Sequence, residues 1–365
     1  MIPQIDLKRQ HQALRSELMD AAARVIDSCR FILGPEGQAL EREVGAVCGA
    51  RHGLGTGSGT DALLIALKAV GVKPGDEVIT SAFSFVASAT TIVMAGATPV
   101  FVDIDPVTFN VDPAQVEAAI TARTRAIVPV HLYGQIAAMD TLGALARARG
   151  LAVVADAAQA VGASYAGRPV AQWGDAAILS FYPTKNLGAC GDAGMVLTTR
   201  DDVADRVRLL RDHGQPRRYT HVELGGSSRL DELQAALLRV KVGRLPEWNQ
   251  RRRAIARHYG EALAGLGLGL PVERPPAQHV YHQYTVRSGK RDALAAALAN
   301  RGIGTAIHYP STIPAQPLFS YPNADRAFPA ATQGAPEGLS LPCLPLLSDG
   351  EIDEMSPIYP PHNGR

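Results

Sequence analysis

The sequence is poor in several features that define particular classes of protein. Its four cysteines show no C-x-x-C spacing, which argues against a zinc knuckle or disulfide framework and fits a reducing cytoplasm. No apolar run approaches the roughly 18 residues that span a bilayer, and the N-terminus lacks the apolar segment of a signal peptide. The 36 basic residues nearly balance the 35 acidic ones, so no surface for nucleic acid or membrane is expected. We expect a soluble, cytoplasmic protein without a metal site, since the histidines also show no metal-binding spacing.

Apolar segments of strand length alternate with helical patterns through the first two thirds of the chain. Segments that are apolar at nearly every position are typical of parallel sheets covered on both faces. The candidate strands are DEVITSAF (76–83), TPVFVDID (98–105), RAIVPVHLYG (125–134), LAVVADAA (151–158), AAILSFY (176–182) and GMVLTTR (194–200). This alternation predicts an α/β doubly wound core.

A boundary between two domains is predicted near residue 245. A chain of 365 residues is too long for one ordinary core. The segment 227–245 is predicted as a helix that opens with a capping box from Ser228 to Asp231, and Pro246 is expected to end it. The pattern beyond it indicates a smaller α+β unit, so the predicted domains are residues 1–245 and 246–365.

A glycine-rich turn opens an apolar helix in GTGSGTDALLIAL (55–67). Backbone N–H groups at a helix start, with the hydroxyls of Ser58 and Thr60, can hold a phosphate. The segment lacks the Lys-Ser or Lys-Thr pair of a P-loop. It also lacks the third glycine of G-x-G-x-x-G, which disfavours a NAD-dependent dehydrogenase. A plain turn with a serine or threonine N-cap explains the same residues.

One lysine, Lys185, stands in the uncharged segment SFYPTKNLGACG (180–191), at the end of a predicted strand. A charged amine there is costly unless it pairs, reaches solvent or takes part in chemistry. Asp156 directly follows another buried strand, where open α/β sheets bind ligands, although a helix-capping aspartate would occupy the same place. Phe85 follows a third strand and fits either the core or a stacking contact with a planar ligand.

Taken together, these features match the requirements of pyridoxal phosphate. A lysine binds its aldehyde, and a carboxylate keeps its ring nitrogen protonated so that the ring can accept electrons. Lys185 and Asp156 supply these two groups, the helix start supplies a phosphate site, and an aromatic ring can cover one face of the cofactor. Desolvation would tune the amine of Lys185 for this chemistry.

The order of short segments along the chain resembles the DegT/StrS family of nucleotide-sugar aminotransferases, which has the aspartate-aminotransferase fold (PLP fold type I). The likeness covers roughly residues 2–350. It rests on PQIDLKRQ, FILGPE, GSGTDAL, GDEVITSAFSFVASA, PVFVDIDPVTFNVD, PVHLYGQ, DAAQAVGA, SFYPTKNLGACGDAG, RDHGQ, SRLDELQAALL, HQYTVR and GIGTAIHYP. The resemblance implies a homodimer with shared active sites.

The resemblance also implies residue roles. Lys185 would form the Schiff base and move protons, Asp156 would pair with the ring nitrogen, and Gln159 would contact the ring hydroxyl. The remaining cofactor residues would be Gly59, Thr60, Phe85, Ser180 and, from the neighbouring subunit, Ser227, where the family usually has asparagine. The implied substrate-binding residues are Phe31, Thr184, Arg229, His308 and Tyr309; the fork of Arg229 suits a carboxylate.

The implied reaction transfers the amino group of L-glutamate to a keto group of a nucleotide-linked hexose by way of pyridoxamine phosphate. KNLGACGDAG (185–194) is similar to relatives that aminate C3, and QPRRYTH (215–221) to enzymes acting on UDP-linked 3-keto hexuronic acids. Polysaccharide and antibiotic sugar pathways both fit. Two alternatives are a sugar dehydratase on the same fold, which typically lacks the lysine, and a non-catalytic regulatory homologue.

The sequence departs from the family pattern in three places. Ala193 replaces a glycine of the usual GDGG, and Pro314 stands where many relatives have histidine. These two changes affect the expected sugar pocket and leave the cofactor unchanged. At the C-terminus, a helix is not expected because of Pro357, Pro360 and Pro361.

Overall fold

The computed structural model describes residues 1–355. Within this range the helices are α1 Leu7–Ala13, α2 Arg15–Ser28, α3 Pro35–Cys48, α4 Gly59–Ala69, α5 Ala87–Met94, α6 Pro113–Ala118, α7 Met139–Arg149, α8 Asp201–Leu210, α9 Glu232–Val242, α10 Leu245–Ala262, α11 Arg291–Asn300, α12 Ala324–Ala327, α13 Pro329–Glu337 and α14 Asp349–Asp353. The strands are β1 His52–Thr56, β2 Glu77–Ser81, β3 Thr98–Val102, β4 Thr124–Val128, β5 Ala152–Asp156, β6 Ser164–Tyr165, β7 Arg168–Pro169, β8 Ala176–Ser180, β9 Gly194–Thr198, β10 Ala277–Gln278, β11 Tyr284–Arg287 and β12 Gly338–Leu341. The prediction that prolines prevent a C-terminal helix concerns residues outside the described range.

A seven-stranded sheet forms the centre of the molecule, in the order β1-β9-β8-β5-β4-β2-β3. Strands β3, β2, β4, β5 and β8 run parallel to one another. Strand β9 is antiparallel to β8, and β1 is antiparallel to β9. The predicted α/β class with a mostly parallel sheet is confirmed. Strand β1 was not predicted from the sequence.

Successive residues of the central strands pack into two different cores. In β5, Val153 and Ala155 belong to one cluster and Val154 to the other. In β4, Ile127 and Val128 divide in the same way. Because both faces of the sheet are covered, both sets of side chains must be apolar, and this explains the continuous apolar runs in the sequence.

The segment before α9 differs from its prediction. The predicted capping box from Ser228 to Asp231 is wrong, because α9 begins at Glu232 and Asp231 makes no side-chain capping bond. Instead, the backbone of the preceding residues is paired across to other segments, at Ser227↔Asp212, Arg229↔Thr56 and Asp231↔Ile32. Helix α9 ends at Val242, and Pro246 lies in the first turn of α10 instead of ending the earlier helix.

A third core lies in the C-terminal part of the chain, where α10 and α11 pack around the two-stranded sheet β11-β12. Helix α10 joins this core to the rest of the molecule, since Leu245 packs with the first core and Tyr259 with the third. Ile2, from the N-terminus, also belongs to the third core. The division of the chain at residue 245 stays a prediction. Among residues 1–355, none of the helices combines the length and apolar composition that crossing a bilayer requires.

Candidate active site

The loops that follow β2, β5 and β8 meet around one cavity, because the carboxyl ends of parallel strands lie at the same edge of a sheet. The cavity has a volume of about 510 Å³, which is in the usual range for small-molecule sites. The predicted site residues that line it are Gly59, Thr60, Phe85, Asp156, Gln159, Ser180, Thr184, Lys185, His308 and Tyr309.

Lys185 lies in the loop between β8 and β9. Its backbone N–H donates to Tyr182 O at 2.8 Å, and the loop is tied back to Phe181 by the N–H of Ala189 at 2.7 Å. The side chain is half-buried and faces the cavity. Burial lowers the pKa of Lys185 to about 8, although the negative charge of Asp156 acts to raise it. About a tenth of the amine is therefore unprotonated at pH 7, far more than for an exposed lysine, and this form can act as a nucleophile or base.

Asp156 ends β5 and is buried. Its Oδ1 accepts a hydrogen bond from Ala158 N at 3.1 Å, and its Oδ2 accepts one from Ser88 Oγ at 3.0 Å. Burial raises the pKa of Asp156, while these two bonds and the charge of Lys185 lower it. No basic side chain within residues 1–355 forms an ion pair with this carboxylate. A buried carboxylate of this kind suits a positively charged ligand atom.

The start of α4 forms another wall of the cavity. Ser58 caps the helix by accepting a hydrogen bond from Asp61 N at 3.0 Å, and the first N–H groups of the helix have no intrahelical acceptor. Gly59 lies so close to Ser180 that a Cβ on it would come within 2.7 Å of the serine Cβ. A Cβ on Gly194 would meet the backbone of Ser58 and Gly59. The close packing at both glycines keeps the helix start against the end of β8 and open to an anion.

Aromatic and amide side chains also line the cavity. Phe85 is 55% exposed, and its ring centroid lies 6.1 Å from that of Tyr309. Gln159 Oε1 accepts a hydrogen bond from Tyr133 N at 2.7 Å, which directs its Nε2 to the hydroxyl of Tyr309 at 3.1 Å. Burial and the charge of Lys185 lower the pKa of His308 to about 4, so this ring is neutral.

These residues fit pyridoxal phosphate. The lysine amine, the buried carboxylate and the helix start with its close glycine contacts correspond to the aldehyde, the ring nitrogen and the phosphate of the cofactor. All three surround a single cavity, and the exposed ring of Phe85 is free to stack on a planar group.

Comparison with known proteins agrees with this fit. Residues 12–357 match the DegT/DnrJ/EryC1/StrS aminotransferase family. The chain belongs to this family. It is therefore an aminotransferase of PLP fold type I, with pyridoxal phosphate as its cofactor.

Individual relatives of this family match nearly the whole chain. The "pleiotropic regulatory protein" of Geobacillus stearothermophilus is 50% identical over 366 residues, which cover 98% of both chains. The dTDP-3-amino-3,4,6-trideoxy-alpha-D-glucose transaminase of Streptomyces venezuelae is 46% identical over 348 residues, or 95% of this chain and 92% of that protein. The crystal structure of DesV from S. venezuelae, in complex with a ketimine intermediate, superposes with a TM-score of 0.95 at 45% identity, covering 97% of both chains.

Three predicted site residues of this DegT-family chain, Phe31, Ser227 and Arg229, do not line the cavity. Phe31 is 49% exposed and stands before α3. Ser227 Oγ accepts a hydrogen bond from Arg229 Nη2 at 2.9 Å, and Arg229 also pairs with Asp212 at 2.8 Å. The segments that carry Phe31 and Ser227 are neighbours. Phe31 O accepts a hydrogen bond from Glu232 N, the first N–H of α9, and Ser227 lies just before that helix. Their roles stay predictions, as do those of the cavity residues.

Sequence reasoning missed several residues that shape the site. Ser88 bonds to the buried carboxylate, and Ser84 lies 3.1 Å from Ser88. His282 and Gln283 line the cavity from the segment before β11. Ser84 and Ser88 lie in the same segment as Phe85 but form no motif, and His282 and Gln283 reach the site from a distant segment that carries no local pattern. Ala193, which replaces the family's glycine, also lines the cavity.

Proposed function

We propose that this aminotransferase transfers the amino group of L-glutamate to the C3 keto group of a nucleotide-linked hexose, with pyridoxal phosphate as the carrier of the amine. The observation that carries the proposal is the meeting of the Lys185 amine and the Asp156 carboxylate in one cavity. The volume of about 510 Å³ leaves space for a sugar beside the cofactor. The name of the S. venezuelae relative, a transaminase of a 3-amino sugar, supports C3.

The cofactor, when bound, supplies an electron sink for the carbon atom that loses or gains a proton. Asp156 would hold the protonated ring nitrogen, and Gly59, Thr60 and Ser180 would hold the phosphate. Phe85 would cover one face of the ring. Lys185 Nζ would bind the aldehyde and, once released, take and return the substrate proton, because its pKa of about 8 is close to neutral.

The proposal includes a homodimer with shared active sites. Phe31, Ser227 and Arg229 lie outside the cavity of their own chain, and Phe31 is exposed despite its apolar ring. Exposed Tyr219 and Leu224 add apolar surface close in sequence to Ser227. A second copy would cover this surface and bring these residues to its partner's cavity. Chains with Lys185→Ala can be mixed with chains that carry both Ser227→Ala and Arg229→Ala. Under random exchange of equal amounts, about half of the dimers are heterodimers, and each heterodimer has one intact site of its two. The mixture should therefore regain about a quarter of wild-type activity.

The central experiment uses Lys185→Ala, with exposed Lys73→Ala as the matched control. We expect wild-type protein and Lys73→Ala to show a visible absorption band that borohydride removes, and to form 2-oxoglutarate from glutamate when a UDP- or dTDP-linked 3-keto hexose is present. Lys185→Ala should lack the band and lose at least about 100-fold in turnover, because it lacks the base. Wild-type protein that shows no such band would contradict the cofactor assignment. A panel of nucleotide sugars decides which nucleobase the substrate carries, which sugar carbon is aminated and whether the sugar bears a carboxylate.

A regulatory role is the second candidate, favoured by the name of the G. stearothermophilus relative. A regulator would keep its effect on expression in Lys185→Ala, whereas an aminotransferase would lose its turnover. A sugar dehydratase would release water from the sugar without net formation of an amino sugar. The cytoplasmic location also stays a proposal, supported by the four free cysteines.

A further inference from the structure

Arg252 of α10 is a buried cation without an acidic partner. It is only 6% exposed, and it forms no ion pair with any carboxylate among residues 1–355. Its Nη1 donates to the backbone carbonyls of Tyr281, at 3.1 Å, and of Cys343. Burial lowers the pKa of Arg252, but a guanidinium stays protonated in proteins. The positive charge is therefore held in the interior by neutral carbonyls alone.

The opposite edge of this guanidinium, formed by Nε and Nη2, has hydrogen bonds left to make. Nε is buried and has no acceptor among residues 1–355, and no described group accepts from Nη2. One hydrogen on Nε and one on Nη2 point in the same direction, which is the arrangement that holds an anion through two hydrogen bonds. A buried donor on a charged group is costly when it lacks an acceptor, so this edge calls for one.

Arg252 lines a small cavity that shares a wall with the active site. This small cavity has a volume of about 30 Å³, and Ile5, Thr184 and Lys185 line both it and the larger cavity. Gln10 of α1 and the apolar residues 344–346 also line it. A buried water needs about 10–15 Å³, so the small cavity holds one or two species of that size and cannot hold a sugar.

The charged side chains that line the small cavity are Asp6, Arg9, Lys185 and Arg252. Asp6 is engaged by Arg9, since its Oδ1 accepts from Arg9 N at 2.9 Å and its Oδ2 lies 3.3 Å from Arg9 Nε. Arg9 also pairs with Glu351 at 2.8 Å. The charge of Arg252 therefore has no counterpart in the wall, and the ammonium form of Lys185 adds to it. This lining favours an anion.

We propose that the small cavity binds one monovalent anion of the size of chloride, held by Nε and Nη2 of Arg252. The assignment goes beyond the proposed function, because it places a second ligand against the wall that carries Lys185. The negative charge of this ion favours the ammonium form of Lys185. Chloride should therefore raise the pKa of Lys185 above about 8 and reduce the amount of reactive amine at neutral pH.

Melting temperatures of the apoprotein measure this binding as potassium chloride replaces potassium gluconate at constant ionic strength. Gluconate is too large for the small cavity, and an anion bound only by the folded state stabilises it. Gln10→Glu places a carboxylate in the wall, where it excludes the anion, whereas Gln12→Glu adds the same charge at an exposed position of the same helix. Relative to Gln10→Glu, wild-type protein and Gln12→Glu should each gain about 2 °C once chloride reaches ten times its Kd. If all three proteins respond to chloride alike, the cavity holds only water and the proposal is overturned.

The pKa of Lys185 in the apoprotein, measured by competitive labelling with acetic anhydride, gives the second readout. The titratable and charged groups that share a cavity with Lys185 are the same in both salts, namely Asp6, Arg9 and Arg252 in the small cavity and Asp156, Tyr182, Asp192, His282, His308 and Tyr309 in the larger one. As chloride replaces gluconate, the labelling midpoint should rise by about one pH unit in wild-type protein and in Gln12→Glu, and stay constant in Gln10→Glu. A midpoint in wild-type protein that does not depend on chloride overturns the effect on Lys185.

Neither readout uses transaminase activity. Wild-type protein that binds chloride but forms no 2-oxoglutarate from glutamate would refute the proposed function and support the anion site. An active enzyme without a chloride response would refute the anion site and leave the proposed function intact.

Discussion

Ser88 Oγ donates a hydrogen bond of 3.0 Å to Asp156 Oδ2, and this bond supports the charge that holds the cofactor in the proposed function. The ionised carboxylate can only accept, so the single hydrogen of Ser88 is used there, and Ser84 must donate to Ser88 across their 3.1 Å contact. The two serines thus form a chain of donors that ends at the carboxylate. Burial raises the pKa of Asp156, and this chain acts against that rise.

Ser88→Ala should weaken pyridoxal phosphate binding by about tenfold or more, because a hydrogen bond to a charged group contributes about 1.5–3 kcal/mol. Titration of the apoprotein with the cofactor, followed by absorbance, measures the change. Thr90→Ala is the control, since its hydroxyl on the same helix bonds only to the helix backbone at Val86 O. Equal cofactor affinity in wild-type protein and Ser88→Ala would contradict this role for the serine.

The free amine of Lys185 should titrate at a pH of about 8 in the apoprotein. Burial disfavours the ammonium form, so the reactive amine is already half formed at that pH, whereas an exposed lysine titrates near 10.4. Competitive labelling with acetic anhydride, read by mass spectrometry, gives the pKa of Lys185, with Lys73 in the same sample as the exposed control.

Asp156→Asn should lower the pKa of Lys185 further, because the negative charge of Asp156 stabilises the ammonium form. The labelling midpoint of Lys185 then moves to lower pH. A midpoint for Lys185 near 10 in wild-type protein would show that the amine is solvated, against the structure.

The residues at strand ends were predictable from the sequence. Asp156 and Ser180 each end a run of buried apolar residues, and such runs mark parallel strands covered on both faces. Lys185 stood out because an isolated charge follows such a run. The placement of these residues around one cavity could therefore be predicted from local patterns, while their chemical roles stay predictions.

Features that depend on distant contacts were not predictable. Strand β1 reads HGLGT and has little strand character of its own, and it exists because it pairs with β9. Ser228 to Asp231 match a local capping box, but backbone pairing with other segments keeps them extended. The bond between Asn186 and His282 joins residues 96 positions apart. No local pattern indicates these pairings.

Gly59→Ala should impair cofactor binding more than the addition of one methyl group suggests. The new Cβ would lie 2.7 Å from the Cβ and 3.1 Å from the Oγ of Ser180, so the start of α4 must move away from the end of β8. Overpacking of this kind costs about 1–3 kcal/mol. We expect a lower melting temperature and at least about tenfold weaker binding of pyridoxal phosphate. Gly260→Ala is the control, because a Cβ there meets nothing within 4 Å and the change should be neutral or stabilising by up to about 1 kcal/mol.

Glu232→Gln should destabilise the junction between α9 and α3. The buried carboxylate of Glu232 accepts hydrogen bonds of 2.8 Å from Glu36 N and from Gly37 N, at the start of α3, where a negative charge is favoured. Glutamine keeps one acceptor oxygen and places an NH₂ group against a backbone donor, which should cost about 1–3 kcal/mol in the free energy of unfolding. Urea denaturation measures this loss, and exposed Glu261→Gln on α10 should change stability by less than about 0.5 kcal/mol.

The same substitution tests whether this junction also serves the active site. Glu232 N donates to Phe31 O at 2.9 Å, so a shift of α9 moves the segment that carries Phe31 and the adjoining segment with Ser227. If both segments reach the partner's cavity, Glu232→Gln should raise KM for the nucleotide sugar several-fold while the spectrum of the bound cofactor on Lys185 is kept. If KM and stability both equal those of wild-type protein, the carboxylate does not hold the two segments together.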